Sequence, residues 1–357
     1  MRRALTDFTL ADLEQQFALW GFKPVHAGRV LRSFYQHGGA WVVEGPPLPA
    51  GLRERIQAEL GLTPSTIVAR QIAEDGTIKL LLRLADGRTV ESVLMPDFRA
   101  DRAAGCVSSQ VGCAMGCDFC ATTKTGFERN LTAGEIIAQF LALRHAAQAS
   151  GRRLQTIVFM GMGEPLLNFE AVLAALRRMA DNQLGSLGWR QITVSTVGIV
   201  PQIDALTATG LNINLAVSLH APDDATRAAL LPMGRHFAIA DILAAADRFQ
   251  AQHGRPVTIQ YCLLEGVNDS VEHARRLAEV IGTRRMHVNL LRYNPTGLSL
   301  RGLSYAPSSH ETAETFVAEL RARKIVAHFR RSRGPEIDAA CGQLRRRTQF
   351  ATEVPRE

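Results

Sequence analysis

The chain of 357 residues has no run of about 18 apolar residues, so a membrane-spanning helix is not expected. Its opening stretch, Met1-Arg2-Arg3-Ala4-Leu5-Thr6-Asp7, brings in acid early and has no apolar core, which argues against a secretory signal. There are only six cysteines, which is not the disulfide framework of a small secreted protein. Internal repeats and low-complexity tracts are absent, and the composition excludes disordered, collagen-like and coiled-coil classes. What is present is ordinary globular material: 46% hydrophobic and 21% charged residues, enough to bury a full core. Acid is in deficit, 34 Asp+Glu against 41 Lys+Arg, for a net charge of +7. Residues 321–347 alone hold nine basic side chains, among them Arg330, Arg331, Arg333, Arg345, Arg346 and Arg347, against two acids, Glu336 and Asp338. A clustered basic surface attracts polyanions such as nucleic acid; a solvated face that only aids solubility is the plainer alternative.

Periodicity divides the chain. Residues 1–60 read as helices, with apolar spacing of three and four over Leu10–Trp20 and Ala27–Tyr35 and a break at Pro46-Pro47-Leu48-Pro49. Residues 66–96 read as strands about the Asp86-Gly87 turn. From about 104 onward, strands expected near 105–111, 156–160, 190–195, 212–218, 257–263 and 286–291 are separated by helical stretches such as 169–181, 239–252 and 271–282. That alternation implies a parallel sheet covered by helices, and about six units fit an open, partial (β/α)6 barrel better than an eight-fold one. The expected division is 1–98 as an N-terminal accessory domain of helices and a β-hairpin, 99–305 as the barrel core, and 306–357 as a C-terminal helix, strand and basic loop. In such sheets the chemistry gathers at the carboxyl ends of the strands.

Three of the six cysteines fall in Cys113-Ala-Met-Gly-Cys117-Asp-Phe-Cys120, a C-x3-C-x2-C spacing. Thiolates are soft ligands for zinc or iron–sulfur clusters. A structural zinc site wants four ligands, and no fourth thiol or histidine lies close by. A cubane cluster on three thiolates leaves one iron open to an outside chelator. Iron–sulfur is therefore favoured over zinc or over buried structural cysteines, and the clustering points to a reducing compartment.

The C-x3-C-x2-C motif resembles that of radical S-adenosylmethionine (SAM) enzymes. The flanking stretches narrow the resemblance to the RlmN/Cfr family of RNA adenosine methyltransferases, nearer the adenine-C2 (RlmN) branch. They are Ser108-Ser109-Gln110-Val111-Gly112-Cys113, Asn130-Leu131-Thr132-Ala133-Gly134-Glu135-Ile136, Met160-Gly161-Met162-Gly163-Glu164-Pro165-Leu166, Ser218-Leu219-His220-Ala221-Pro222, Gly266-Val267-Asn268-Asp269 and Asp338-Ala339-Ala340-Cys341-Gly342-Gln343-Leu344. These run from about 91 to 344 in the family's order. Thr123, Thr125 and Glu128 differ from that branch's usual residues, and Arg292 stands where a proline is common.

The resemblance implies a [4Fe-4S] cluster on Cys113, Cys117 and Cys120, with SAM chelated to the open iron and held by Gly163, Glu164, Ser195, Ser218, Leu219, His220 and Asn294. The two glycines of Gly161-Met162-Gly163 are expected to let backbone approach the ligand closely. The resemblance further makes Cys341 a methyl carrier that passes through S-methylcysteine, Cys106 the thiol that attacks its sulfur and releases product with a disulfide, and Glu91 the base that removes the ring proton. Cys262, inside an apolar strand, reads as core. Implied partners are 23S rRNA, with tRNA as a second candidate, and an electron-donating reductase, in the cytoplasm and away from membranes. The alternatives are methylation at adenine C8, as in the Cfr branch, and a zinc-dependent RNA-binding protein without catalysis.

Overall fold

The computed structural model describes residues 3–43 and 45–344; Arg345, Arg346 and Arg347 of the basic segment lie outside the described residues. Three helices come first: α1 (Leu10–Leu19), α2 (His26–Gln36) and α3 (Leu52–Glu59). Thr9 starts α1 with a reciprocal cap, its Oγ1 accepting from the Asp12 N–H while the Asp12 carboxylate accepts from the Thr9 N–H. Three strands follow, β1 (Ser65–Ile72), β2 (Ile78–Leu84) and β3 (Thr89–Pro96). Gly87 makes the β2–β3 turn at φ +84°, a conformation that favours glycine.

The remaining strands are β4 (Arg102–Cys106), β5 (Gln110–Gly112), β6 (Phe127–Asn130), β7 (Arg153–Phe159), β8 (Ile192–Thr196), β9 (Asn214–Ser218), β10 (Val257–Leu263), β11 (Met286–Arg292) and β12 (Val326–Arg330). The helices between them are α4 (Ala133–Ala149), α5 (Phe169–Ala180), α6 (Val200–Ala208), α7 (Asp224–Leu230), α8 (Ile239–His253), α9 (Val271–Ile281) and α10 (His310–Ala322). One ten-stranded sheet runs β1-β2-β3-β4-β7-β8-β9-β10-β11-β12. Pairing is antiparallel from β1 to β4 and parallel from β4 to β12. The sheet stays open, with β1 and β12 at its edges. This is the expected partial barrel, lengthened at one side by β12 and at the other by the hairpin strands, which continue the barrel sheet.

The first barrel strand differs from the expectation over 105–111. It ends at Cys106, and Gln110–Gly112 pairs separately with β6. The reason lies in the intervening serines. The Ser108 N–H donates to Gln139 Oε1 at 2.8 Å and the Ser109 N–H to the Met162 carbonyl at 2.8 Å, so the chain leaves the ladder.

Register fixes which side chains share a face. Lys79 stands opposite Val93, Val93 opposite Cys106, and Cys106 beside Val158; Leu81 stands opposite Glu91. The row continues through Thr193 and Asn214, with Ser195, Ser218, Gln260 and Cys262 in the same alternation. This is the concave, inner face of the sheet. The opposite parity packs on helices: Ser92 donates to Gln139 of α4 at 2.8 Å, and Ile157, Val194, Leu215 and Ile259 are buried in the main core.

Salt links fasten the hairpin to the barrel. Arg129 of β6 bridges Asp86 at the β2–β3 turn (2.7 Å) and Glu135 in the first turn of α4 (2.8 Å), and Arg88 reaches Glu128 at 2.8 Å. The hydrogen bond from Arg129 holds the Asp86 carboxyl down at about 2.

Candidate active site

The carboxyl ends of the inner strands surround a cavity of about 160 Å³. Lining it are Cys117, Cys120, Gly163, Glu164, Ser195, Ser218, His220, Cys262 and Cys341. Eight expected site residues thus gather here from five separate segments.

The cysteine loop is shaped by its own backbone. The Cys120 N–H donates to the Cys117 carbonyl at 3.0 Å, and the Thr123 hydroxyl donates to the carbonyls of Cys117 and Cys120 at 3.1 and 2.9 Å. Cys113 and Cys117 pack against a small apolar group of Met115, Phe119, Val197, Leu230 and Leu231. Burial pushes the Cys113 thiol up to about 12 and Cys117 well upward. Deprotonating such thiols needs a nearby cation, as a metal supplies. Among the described residues no three Cys, His, Asp or Glu side chains are grouped closely enough to hold a single ion. A cluster that gives each thiol its own iron wants them spread around it. Cys117 and Cys120 line the cavity and Cys113 packs behind it on the same apolar group, three soft donors beside room for a chelating ligand, which fits a three-thiolate cluster.

Glu164 is buried, and its two oxygens accept from the Leu166 N–H (3.0 Å) and the Val197 N–H (2.9 Å). Burial raises its carboxyl to about 7. His220 is the second residue after β9 and carries φ +59°. Its Nδ1 accepts the Cys262 N–H at 2.9 Å, which places the ring proton on Nε2, and burial lowers its pKa to about 3. The imidazole is therefore a neutral donor. Asn268 braces it, with Nδ2 donating to the carbonyls of His220 and Cys262, each at 2.8 Å.

Other residues sit differently from the expectation. Leu219 is buried in the main core and its N–H bonds the Gln260 carbonyl at 3.1 Å. Asn294 donates through Nδ2 to the Cys341 carbonyl at 3.2 Å. The close approach made by Gly161 and Gly163 is to protein: an added Cβ would stand 2.7 Å from Ser108 Oγ at the first and 2.5 Å from the Gln110 Cβ at the second. The glycines let the loop after β7 nest on 107–110. Cys262 is buried as expected of core, yet its side chain faces the cavity, within electrostatic reach of Cys341 and Cys120.

Cys341 is exposed and lines the cavity. Its loop is docked by the Ala121 N–H on the Gly342 carbonyl (2.7 Å) and the Thr122 hydroxyl on the Leu344 carbonyl (2.8 Å). Enclosure by protein pushes its thiol up, while Arg330 draws it back down. Cys106, at the end of β4, is pushed up by burial and by the charge of Cys341. All six cysteines are free thiols. Glu91 is fully buried in mid β3, and Lys79 Nζ lies 3.3 Å from its Oε1. The same ammonium reaches the Asp338 carbonyl at 3.5 Å, so one cation touches both the Glu91 carboxylate and the loop that leads to Cys341. Sequence reasoning missed Lys79 and Gln260, and named Asn268 only within the Gly266–Asp269 stretch, without a role.

A parallel half-barrel that presents a three-cysteine loop and a ligand cavity at its strand ends defines an enzyme of the radical SAM class. The sequence profile of the Radical SAM superfamily matches residues 107–278. The crystal structure of a radical SAM methyltransferase from Sphaerobacter thermophilus superposes with a TM-score of 0.89 at 44% identity, covering 96% of this chain and 99% of that one. A protein of Opitutus terrae named "Probable dual-specificity RNA methyltransferase RlmN 1" is 71% identical over 345 residues, 97% of either chain. One of Rhodopirellula baltica, named "Probable dual-specificity RNA methyltransferase RlmN", is 43% identical over 342 residues, 96% of this chain and 90% of that protein. The chain belongs to the RlmN family of SAM-dependent radical RNA methyltransferases, whose cofactors are a [4Fe-4S] cluster and SAM.

Proposed function

We propose that this chain methylates C2 of an adenosine in 23S rRNA, and likewise in tRNA, through a methyl group carried on Cys341. The observation that carries the reading is the placing of two free thiols, Cys106 on the inner sheet face and Cys341 on a docked loop, in mutual electrostatic reach beside the cluster-loop cavity. Adenine C2 is electron-poor and not nucleophilic, so direct displacement on a methyl sulfonium is poor there. When bound, the cluster and SAM supply the methyl group and a hydrogen-abstracting radical. Cys113, Cys117 and Cys120 would hold the cluster. Gly163, Glu164, Ser195, Ser218 and His220 would hold SAM, with Glu164 accepting from its ammonium, while Leu219 and Asn294 would act through backbone and loop placement.

The chain's own groups then carry the transfer. Once the Cys341 methylene is joined to the ring carbon and the adduct has given up its odd electron, Glu91 would take the ring proton. The Cys106 thiolate would next attack the Cys341 sulfur; the carbon–sulfur electron pair passes to the methylene carbon, which takes up a proton to become the product methyl group, and a disulfide forms. Two electrons must reduce it before the next cycle. An electron-donating reductase serves that step and the cluster, which suits a cytoplasmic setting; no described helix is long and apolar enough to cross a membrane.

RNA is held from both flanks. The unit 1–98 contributes exposed Lys23 and Arg32, and 306–357 contributes exposed Arg330 and Arg331 beside the Cys341 loop, around the core 99–305. An accessible or flipped-out adenine is the reachable substrate.

The experiment is an anaerobic assay of the reconstituted protein with SAM and ribosomal RNA fragments, read by mass spectrometry of the digested RNA. The expected product is 2-methyladenosine. Finding only 8-methyladenosine would move the chain to C8 chemistry. In the same assay Glu91→Gln keeps the shape but removes the proton acceptor, and methylated RNA should form roughly 100- to 10,000-fold more slowly. A rate within a few-fold of the parent would remove Glu91 from that role.

A further inference from the structure

Helix α7 buries a cation that the reaction has not used. Arg227 is fully buried, and among the described residues no carboxylate lies within salt-bridge distance of it. Its guanidinium donates to the Val197 carbonyl and, at 3.5 Å, to the Phe237 carbonyl, while Nε has no hydrogen-bond partner among the described residues. Two carbonyl dipoles do not neutralise a guanidinium, and a buried cation without a counter-ion is costly.

The cysteine loop rests against this helix. The Leu230 carbonyl, near the end of the helix that carries Arg227, accepts the Asp118 N–H at 2.9 Å. On the other side of Cys117, a Cβ at Gly116 would stand 3.3 Å from the Pro232 ring. Both neighbours of Cys117 therefore rest on the α7 end and the turn that follows it. Val197, whose carbonyl takes the guanidinium, packs in the same apolar group as Cys117. Of the two groups whose negative charge reaches Arg227, Cys117 acts more strongly than Asp224.

We propose that Arg227 is the buried counter-charge of the iron–sulfur cluster and sets its reduction potential. The inference rests on the reading of Cys117 as a cluster ligand. A cluster on three thiolates is anionic, and accepting one electron adds one more negative charge with no bond formed or broken. The electron comes from a low-potential one-electron donor, dithionite in the test. A fixed guanidinium in a dry site stabilises the reduced cluster more than the oxidised one, and so makes it easier to reduce.

The test is an EPR-monitored redox titration, with dithionite and low-potential mediators, of full-length reconstituted protein. Arg227→Gln should lower the reduced-to-oxidised ratio at fixed potential roughly tenfold, a midpoint about 59 mV more negative. Arg227→Lys keeps the charge and should stay close to the parent. An unchanged midpoint in Arg227→Gln overturns the proposal. So does a shift in Arg227→Lys as large as a loss of charge predicts, which is also the deciding comparison with the parent if the glutamine variant does not fold. A parent protein that binds no iron, or a Cys117→Ala protein with a full cluster, refutes the ligand reading instead, before any potential is measured.

Discussion

Replacing Cys106 by alanine should leave RNA covalently attached to the protein. Cys106 ends β4 on the inner face, in line with Val93 and Val158 and within the field of Cys341. Nothing upstream of its attack depends on it: the cysteine loop, Glu164, His220 and the docked Cys341 loop are held by contacts that do not involve its sulfur. The methylene bridge to RNA should therefore form and then persist, because the thiol that would break it is gone. The expected result is a band of protein plus RNA on a denaturing gel that resists reductant and disappears on RNase treatment. Free methylated RNA released at the parent's rate would take Cys106 out of the scheme. The stability cost is modest, since a single buried sulfur atom is removed and only a small cavity is left.

The second large effect concerns the cluster loop. Cys117→Ala should lose most of the iron and all detectable SAM cleavage, a fall beyond the roughly 10- to 100-fold that even outer-shell changes cost at metal sites. Cys262 also faces the cavity, but it lies in the β10 ladder with its N–H fixed on His220, so it cannot move to serve as a substitute ligand. Iron analysis and the visible spectrum of the anaerobic protein decide this, with a thermal melt of the iron-free parent as the folding control. A brown variant that still cleaves SAM would contradict it.

Much of this site was legible in the residues. Spacing gave the three-cysteine loop, and alternating apolar strands and helices gave an open parallel sheet whose strand ends would carry Ser195, Ser218 and His220. What stayed hidden depends on register and on long-range contact. Lys79 looks like a surface lysine in the hairpin. Only its place opposite Val93, on the face that turns into the barrel, buries it against Glu91. Cys262 sits in Val-Thr-Ile-Gln-Tyr-Cys-Leu, where Thr258, Gln260 and Cys262 alternate with the helix-facing Val257, Ile259, Tyr261 and Leu263. That alternation was available, but a mostly apolar strand reads as buried on both faces. The strand expected over 105–111 was broken by Ser108 and Ser109, whose partners Gln139 and Met162 are far along the chain.

The central claim is that Cys341 bears the transferred methyl group inside this cavity. Tandem mass spectrometry of a digest of the protein, isolated anaerobically after incubation with SAM and before RNA is added, tests it most directly. The account predicts S-methylcysteine at position 341 and at no other cysteine, with that mark consumed when RNA is supplied. Methylated RNA formed by a protein whose Cys341 remains an unmodified thiol throughout would contradict it.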